Sequence, residues 1–405
     1  MSVTIEKTEI LGWLREENPA RLKELWQRAD EIRRSRVGDA VHLRGLVEIS
    51  NFCSRQCAYC GLRVGNENLA RYRMDLNEIL EAAQQAVSFG YGTVVLQGGE
   101  DYGIATLWMA EIIRRIKGET PLAVTLSLGE RPDKDLAAWR KAGADRYLLR
   151  FETSDPNLFE EIHPPLGRRK FDRLAILRRL RGLGFEVGSG IMVGIPGQTY
   201  ASVANDIALF RELDLDMIGI GPFIPHPGTP LGNGLRFFPS VNGEQVPNTE
   251  LMVYKAVALT RLVRPDANIP ATSALATINK ANGRELGLQR GANVFMPNLT
   301  PLKYRHLYQI YPNKACIAET GDACNGCLSL RIKGLGRHIG RGQGGRKDRD
   351  LFAPERGSVS RSIPQTQSGT MIPGGFELTR PLRVTVPISD ERSRRSILNP
   401  FSSHA

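Results

Sequence analysis

The chain lacks the features that would mark it for a membrane or for export. No run approaches the roughly 20 apolar residues that span a bilayer, although 41% of the 405 residues are hydrophobic, enough for a substantial core. The opening MSVTIEKTEI contains no apolar stretch of the secretory type. A soluble, cytoplasmic protein is therefore expected. Acidic residues are in deficit, which leaves a formal charge of +11. Such a balance suits nucleic acid, anionic substrates or an acidic partner. Part of the excess lies in GRHIGRGQGGRK (336–347), where a solvated basic segment is a sufficient explanation. Cysteine is scarce too, at six residues, and none stands apart. Three lie in CSRQCAYC and three in CIAETGDACNGC. Two compact triplets in an intracellular-looking chain argue for metal ligation rather than disulfides.

What is present is a rhythm. Residues 1–39 read as helix, with Leu22, Leu25, Trp26 and Ile32 near helical spacing. Apolar strand candidates then alternate with amphipathic helices. The strands are read at 42–50, 92–100, 122–130, 146–152, 186–197, 217–226, 268–277 and 292–301. The helices between them are read at 76–90, 105–116, 135–142, 171–183, 201–213 and 249–262, with a short one after the seventh strand. Alternation of this kind means a parallel sheet covered by helices. Eight units in roughly 260 residues predict a closed (β/α)8 barrel of the TIM type, with an open doubly wound sheet as the rival. The expected organisation is an N-terminal helical segment (1–41), the barrel with the second cysteine triplet (42–352), and a disordered Ser/Pro/Gly/Thr-rich tail (353–405).

CSRQCAYC follows the first strand directly, at the end of a barrel where catalytic groups gather. Thiolates suit zinc or iron–sulfur clusters. Cys53, Cys57 and Cys60 are three ligands, whereas a cubane 4Fe–4S cluster has four irons, so one iron is left for an exogenous ligand. The second strand ends in QGGE, whose glycines permit close backbone approach to a ligand. Arg150 and Glu152 lie two apart on the fourth strand and share a face, with Leu149 and Phe151 on the other. A surface ion pair is the plain alternative. Without further information Arg173 is a solvent-exposed arginine, Met296 a core methionine and Tyr308 a packed tyrosine.

The cysteine spacing, with Tyr59 before the last cysteine, resembles the radical S-adenosylmethionine (SAM) superfamily. GGED, RFETSDP, MVGIPGQT, GIGPFIPHPGTPL, NIPATSALATI, GANVFMPNLTP and YRHLYQIYPNK together resemble the HydE maturase family of iron–iron hydrogenase, over roughly residues 42–347. Biotin synthase and methylornithine synthase share the first half.

The resemblance implies a 4Fe–4S cluster on Cys53, Cys57 and Cys60 with SAM chelating the fourth iron. It implies reductive cleavage of SAM to methionine and a 5′-deoxyadenosyl radical, driven by an external one-electron reductant. SAM contacts fall on Tyr59, Gly98, Gly99, Glu100, Arg150, Glu152, Arg173 and Met192. Glu152 is matched to SAM's amino group and Arg173 to its carboxylate. Cys316, Cys324 and Cys327 match a second cluster site, 2Fe–2S or 4Fe–4S, for which zinc competes. The implied substrate is a cysteine-bound iron carbonyl cyanide species supplied by HydG, with HydF as scaffold and the enzyme itself a monomer. Thr125, Ser127, Thr272, Ser273, Met296 and Tyr308 are candidates for the substrate cavity, and His226 is a loop histidine of open role. Phe151 stands where the family often has histidine. Three rivals remain: another radical SAM reaction of the biotin synthase or methylornithine synthase type, a non-catalytic iron–sulfur carrier, and a nucleic-acid binder.

Overall fold

Strand β1, Ala40–Ser50, is buried on both faces over most of its length, as a strand inside a parallel α/β sheet must be. In the computed structural model, which describes residues 5–167, 172–235, 244–315, 317–318 and 321–346 (322–324 by backbone alone), β1 begins a parallel sheet. It pairs with β2 (Thr93–Gly98), which pairs with β3 (Ala123–Ser127), β4 (Arg146–Leu148), β5 (Glu186–Val193) and β6 (Met217–Pro222) in turn. On its other side β1 pairs with β7 (Val294–Phe295). The gap between β6 and β7 is bridged by residues 268–271. Ile218 N donates to Asn268 O (2.9 Å) and Ala271 N to Val294 O (3.0 Å). The sheet thus curls into the expected TIM-like barrel.

The seventh strand is the main local departure. Single parallel bridges at Asn268 and Pro270 replace a ladder. Pro270 has no amide hydrogen to give. Thr272 then caps helix α10 (Ser273–Ile278), so the predicted strand ends in helix. The fourth strand is also shorter than read, which leaves Arg150 and Glu152 beyond its end.

Helices α3 (Leu76–Ser88), α4 (Thr106–Glu119), α5 (Asp133–Lys141), α7 (Arg173–Gly182), α8 (Tyr200–Glu212) and α9 (Glu250–Val263) lie near their predicted places. Asp75 and Glu78 form a capping box at the start of α3, worth about 1 kcal/mol. Helix α6 (Pro156–Ile162) was not foreseen, although Asp155 caps it and Pro156 occupies its first turn. The N-terminal helix is two helices, α1 (Lys7–Arg15) and α2 (Pro19–Val37), because Asn18 caps a fresh start at Pro19. They cover α8 and α9, so α9 is buried all round from 252 to 263.

The basic segment near residue 340 is not simply solvated. Strand β8 (His338–Ile339) pairs with the start of β1, and the following residues cross the N-terminal floor of the barrel. Gln343 O accepts from Thr93 Oγ1 (2.9 Å) and Arg146 Nη2 (3.0 Å). Gly344 O accepts from Arg44 Nη2 (3.0 Å), and Arg346 pairs with Asp214 (2.9 Å) and Asp216 (3.3 Å). No helix among the described residues is long and apolar enough to cross a membrane. The expected tail, 353–405, lies outside the described residues.

Candidate active site

The cysteine loop leaves the C-terminal end of β1 and is fastened before its first cysteine. Asn51 Nδ2 donates to Ala70 O and Leu307 O (both 2.8 Å), and its Oδ1 accepts from Tyr72 N (2.7 Å). Arg71 donates to Asn51 O (2.6 Å), Leu62 O (2.8 Å) and Arg63 O (2.8 Å), lacing both ends of the loop. The loop also runs against the end of β2. A Cβ at Gly99 would stand 2.2 Å from Phe52 O and 2.9 Å from Cys53 Cβ, so this position admits only glycine. Gly98 is the last residue of β2, beside it.

Cys57 is buried, and Cys53 and Cys60 are half-buried. Burial, and then the charge of Cys53, pushes the Cys60 thiol up to about 12. Burial followed by the charges of Cys60 and Cys53 pushes Cys57 well above its ordinary value. Burial likewise raises Cys53. Three crowded thiols that oppose one another's ionisation fit a group bringing its own positive charge. Among the described residues, no three His, Cys, Asp or Glu side chains converge as ligands of one ion would. A cubane, in which each thiolate takes a different iron, needs no such convergence. The donor set fits a 4Fe–4S cluster.

Behind Cys57 lies a buried ionic network that was not anticipated. Arg55, inside the motif itself, donates to Glu100 Oε1 (2.6 Å) and pairs closely with Glu130. Glu130 accepts from Arg173 Nε (2.7 Å) and lies 3.2 Å from His163 Nε2. His163 Nδ1 stands 3.0 Å from Cys57 Sγ. Burial opposes the charge on Glu130, but the His163 contact and the Arg173 and Arg55 guanidiniums outweigh it and hold the carboxyl down at about 2. Burial, then the charge of Arg173, brings His163 down to about 4. Glu100 is committed here: besides Arg55, its carboxylate accepts from Tyr102 OH (3.0 Å) and Glu130 N (3.0 Å). Arg173 is not solvent-exposed, as its side chain is only 9% accessible.

Glu152 keeps an uncommon backbone, φ +63°, a conformation that costs a non-glycine residue about 1 kcal/mol or more. Its cause lies outside the cavity. Ser154 N and Oγ both donate to Asp206 Oδ1 (2.6 and 2.5 Å), and Thr153 N donates to Phe151 O (2.8 Å). Asp206, fully buried on α8, thereby holds the turn that follows Glu152. Glu152 Oε2 lies 3.1 Å from Arg150 Nη2 without hydrogen-bond geometry, because Nη2 aims at Ile191 O (2.5 Å). Glu152 Oε2 is buried and accepts no hydrogen bond, and Arg150 Nε and Thr125 Oγ1 are likewise buried without a hydrogen-bond partner. Phe151 points away and packs on Phe210, ring centres 5.8 Å apart. Met192 belongs to an apolar cluster with Ala58, Ile162 and Phe223, against which Tyr59 packs.

Inside the barrel, Thr125, Thr272, Ser273 and Met296 line one cavity, which Arg150 also lines. Arg44, Glu48, Gln97, Tyr311 and Lys314 join them; sequence reading missed all five, because barrel interiors mix residues from distant strands. Ser127 and Tyr308 are not on its wall. Ser127 ends β3 half-buried. Tyr308 is buried beneath Lys314, whose Nζ is 4.9 Å from the ring centre, and burial followed by the Glu48 charge raises it well above the ordinary tyrosine value. His226 is half-buried, with Nδ1 accepting from Gly228 N (3.0 Å). Of the second triplet, Cys327 is exposed on the helix Gly321–Gly334. Cys316 lies outside the described residues, and so does the side chain of Cys324.

A parallel barrel with a three-cysteine loop on its first strand defines a class, and residues 47–210 match the family model described as the radical SAM superfamily. Within that class the chain belongs to the HydE family and is a radical SAM enzyme. It is 49% identical over 323 residues to the FeFe hydrogenase maturase subunit HydE of Thermotoga maritima, covering 80% of this chain and 88% of that one. It is 29% identical over 280 residues to 3-methylornithine synthase of Methanosarcina acetivorans, covering 69% and 75%. Among solved structures, methylornithine synthase (PylB) superposes with a TM-score of 0.71 at 23% identity, covering 86% of this chain and 97% of that one. HydG, a maturase of the FeFe hydrogenase, superposes at 0.65 and 18% identity, covering 82% and 72%. These structural likenesses speak for the fold. Membership of the superfamily implies a 4Fe–4S cluster and SAM as cofactors.

Proposed function

We propose that this enzyme cleaves SAM reductively at a cluster held by Cys53, Cys57 and Cys60, and that it serves maturation of the di-iron centre of iron–iron hydrogenase. The observation that carries the reading is the crowded trio of thiols, Cys57 buried and Cys53 and Cys60 half-buried, together with a buried Glu152 oxygen that accepts no hydrogen bond. When bound, the cluster supplies the electron that splits SAM into methionine and a 5′-deoxyadenosyl radical. Glu152 offers that oxygen to the SAM ammonium, an interaction strengthened by burial. Arg173 spends Nε on Glu130, Nη1 on Arg150 O and Nη2 on His163. Each terminal nitrogen carries a second hydrogen, available to the SAM carboxylate. The Gly98–Gly99 backbone and Glu100 form the adjoining wall, and Tyr59 and Met192 shield the nucleoside from water.

The substrate is a cysteine-bound iron carbonyl cyanide species from HydG, passed on toward HydF. Its anionic character suits a cavity where Arg44, Arg150 and Lys314 face one carboxylate, Glu48. Burial, then the Arg146 charge, brings Arg44 down to about 9, which leaves it cationic at neutral pH. Thr125, Thr272 and Ser273 supply hydroxyls to such a ligand. Cys316, Cys324 and Cys327 hold a second iron–sulfur cluster that the reaction does not require. The test is anaerobic reconstitution followed by SAM and dithionite. Deoxyadenosine and methionine should form in equal amounts, and a HydG product mixture should be consumed. A reconstituted protein that yields no deoxyadenosine would be a carrier instead.

A further inference from the structure

The buried network behind Cys57 is more than a support for the loop. Helix α6 is stitched to that loop on both sides of the sulfur. Ala58 N donates to Ile162 O (2.8 Å), and His163, the next residue, reaches Cys57 Sγ with Nδ1 at 3.0 Å. The ring cannot turn freely. Phe159 packs beside it with ring centres 5.0 Å apart, and Arg173 Nη2 stands 3.0 Å from Nε2.

Nε2 has both a donor and an acceptor beside it, Arg173 Nη2 at 3.0 Å and Glu130 Oε1 at 3.2 Å, so that side does not place the ring hydrogen. The sulfur side does. A cluster-bound Cys57 is a thiolate with no hydrogen, so its short contact with Nδ1 puts a hydrogen on Nδ1. Glu130 holds Arg173 beside the ring through Nε at 2.7 Å. The three sulfurs are therefore unequal. Cys53 takes hydrogen bonds from the backbone of Glu100 and Arg55, and Cys60 from the backbone of Leu62. Cys57 takes its hydrogen bond from a side chain.

We propose that His163 is a positioning residue of the cluster that donates Nδ1–H to the Cys57 thiolate and raises the cluster's reduction potential. A hydrogen bond to a ligand sulfur withdraws electron density and favours the reduced state. Arg173 and Glu130 fix the ring so that the donor faces the sulfur whether or not SAM is present. The inference rests on the reading of Cys53, Cys57 and Cys60 as cluster ligands.

The test uses protein in which Cys316, Cys324 and Cys327 are replaced by serine, so that only the first cluster reports. Redox titration followed by electron paramagnetic resonance, without SAM, gives the midpoint potential. His163→Phe keeps the ring volume and removes the donor. The reduction equilibrium should fall about tenfold, a downward shift of about 59 mV for one electron, at unchanged iron content. His163→Asn, whose amide nitrogen falls near the Nδ1 position, should return the potential toward the parent value. An unshifted potential in a fully loaded His163→Phe protein overturns the proposal, and so does an equal shift in both variants. Should His163→Phe fail to load, the parent protein with 15N-histidine decides. A nitrogen coupling and an exchangeable proton coupling to the reduced cluster are expected, and their absence overturns the proposal. A parent protein with no cubane signal at all would instead refute the proposed function.

Discussion

The two ends of the barrel both bury paired charges, and they differ in which acceptors are left incomplete. At the floor, partners are found within the protein. Arg146 engages Glu186, Thr93 Oγ1 and Gln343 O with its three nitrogens. Asp216 accepts from Val187 N (2.7 Å) and pairs with Arg181 and Arg346. At the mouth, Arg55, Arg173, Glu100 and Glu130 are matched as well, but Glu152, on a left-handed backbone, has an oxygen beside Arg150 that accepts no hydrogen bond, and the thiols oppose one another's ionisation. Buried charge that is internally matched stabilises a fold only weakly but is costly to break. A buried polar atom left without a hydrogen bond is destabilising unless a ligand completes it. The floor is therefore structural, and the mouth is kept for chemistry.

That contrast can be broken from either end. The largest effect is expected for Cys57→Ala, which should abolish the first cluster and with it deoxyadenosine formation. Replacing Cys316, Cys324 and Cys327 together should leave deoxyadenosine formation largely intact, as measured by product chromatography. Next comes a pH effect at the mouth. Burial raises Asp206 from 3.8 to about 7, against the opposing hydrogen bonds from Ser154. The folded state holds that proton more tightly, so the contribution to stability is full below pH about 4 and is lost as pH rises through 7. Asp206→Asn, permanently neutral, should lack this loss. Between pH 5 and pH 8 the unfolding free energy from urea titration should change relative to the parent, in the variant's favour, by on the order of 2–3 kcal/mol.

Glu152→Gln should raise the KM for SAM by about 10–100-fold, the worth of one charge-assisted hydrogen bond, with thermal stability unchanged or slightly higher. Gly92→Ala reverses the pattern at the floor. Its Cβ would meet Gly342 O at 1.7 Å, lifting the segment that seals the barrel. It should cost about 1–3 kcal/mol of stability and leave the KM for SAM near the parent value. If both variants changed stability and KM together, the division of labour between the two ends would be wrong.

The parallel barrel was legible because apolar strands and amphipathic helices have different periods; the first six strands obeyed theirs, and the eighth is present as the two-residue β7. The seventh did not, since Pro270 and the Thr272 cap act locally against an apolar pattern. The cysteine loop was legible because its three cysteines are local in sequence. The network behind it was not, because Arg55, Glu130, His163 and Arg173 come from four separate segments. A capped DPNLFEEIH was the available signal for α6 and for the histidine at its end. The role of 338–346 was hidden for a related reason: a run of glycine and arginine looks solvated until the acceptors waiting for it, Asp214, Asp216 and Glu186, are brought together by the fold.

The central claim is that three thiolates leave one cubane corner for SAM. The direct measurement is electron paramagnetic resonance of the reduced protein lacking the second cysteine triplet, recorded before and after SAM is added. A cubane signal that changes shape with SAM, with nitrogen coupling from 15N-labelled SAM, is the predicted result. A cubane signal indifferent to SAM, or none from protein with all three first-loop cysteines intact, would contradict it.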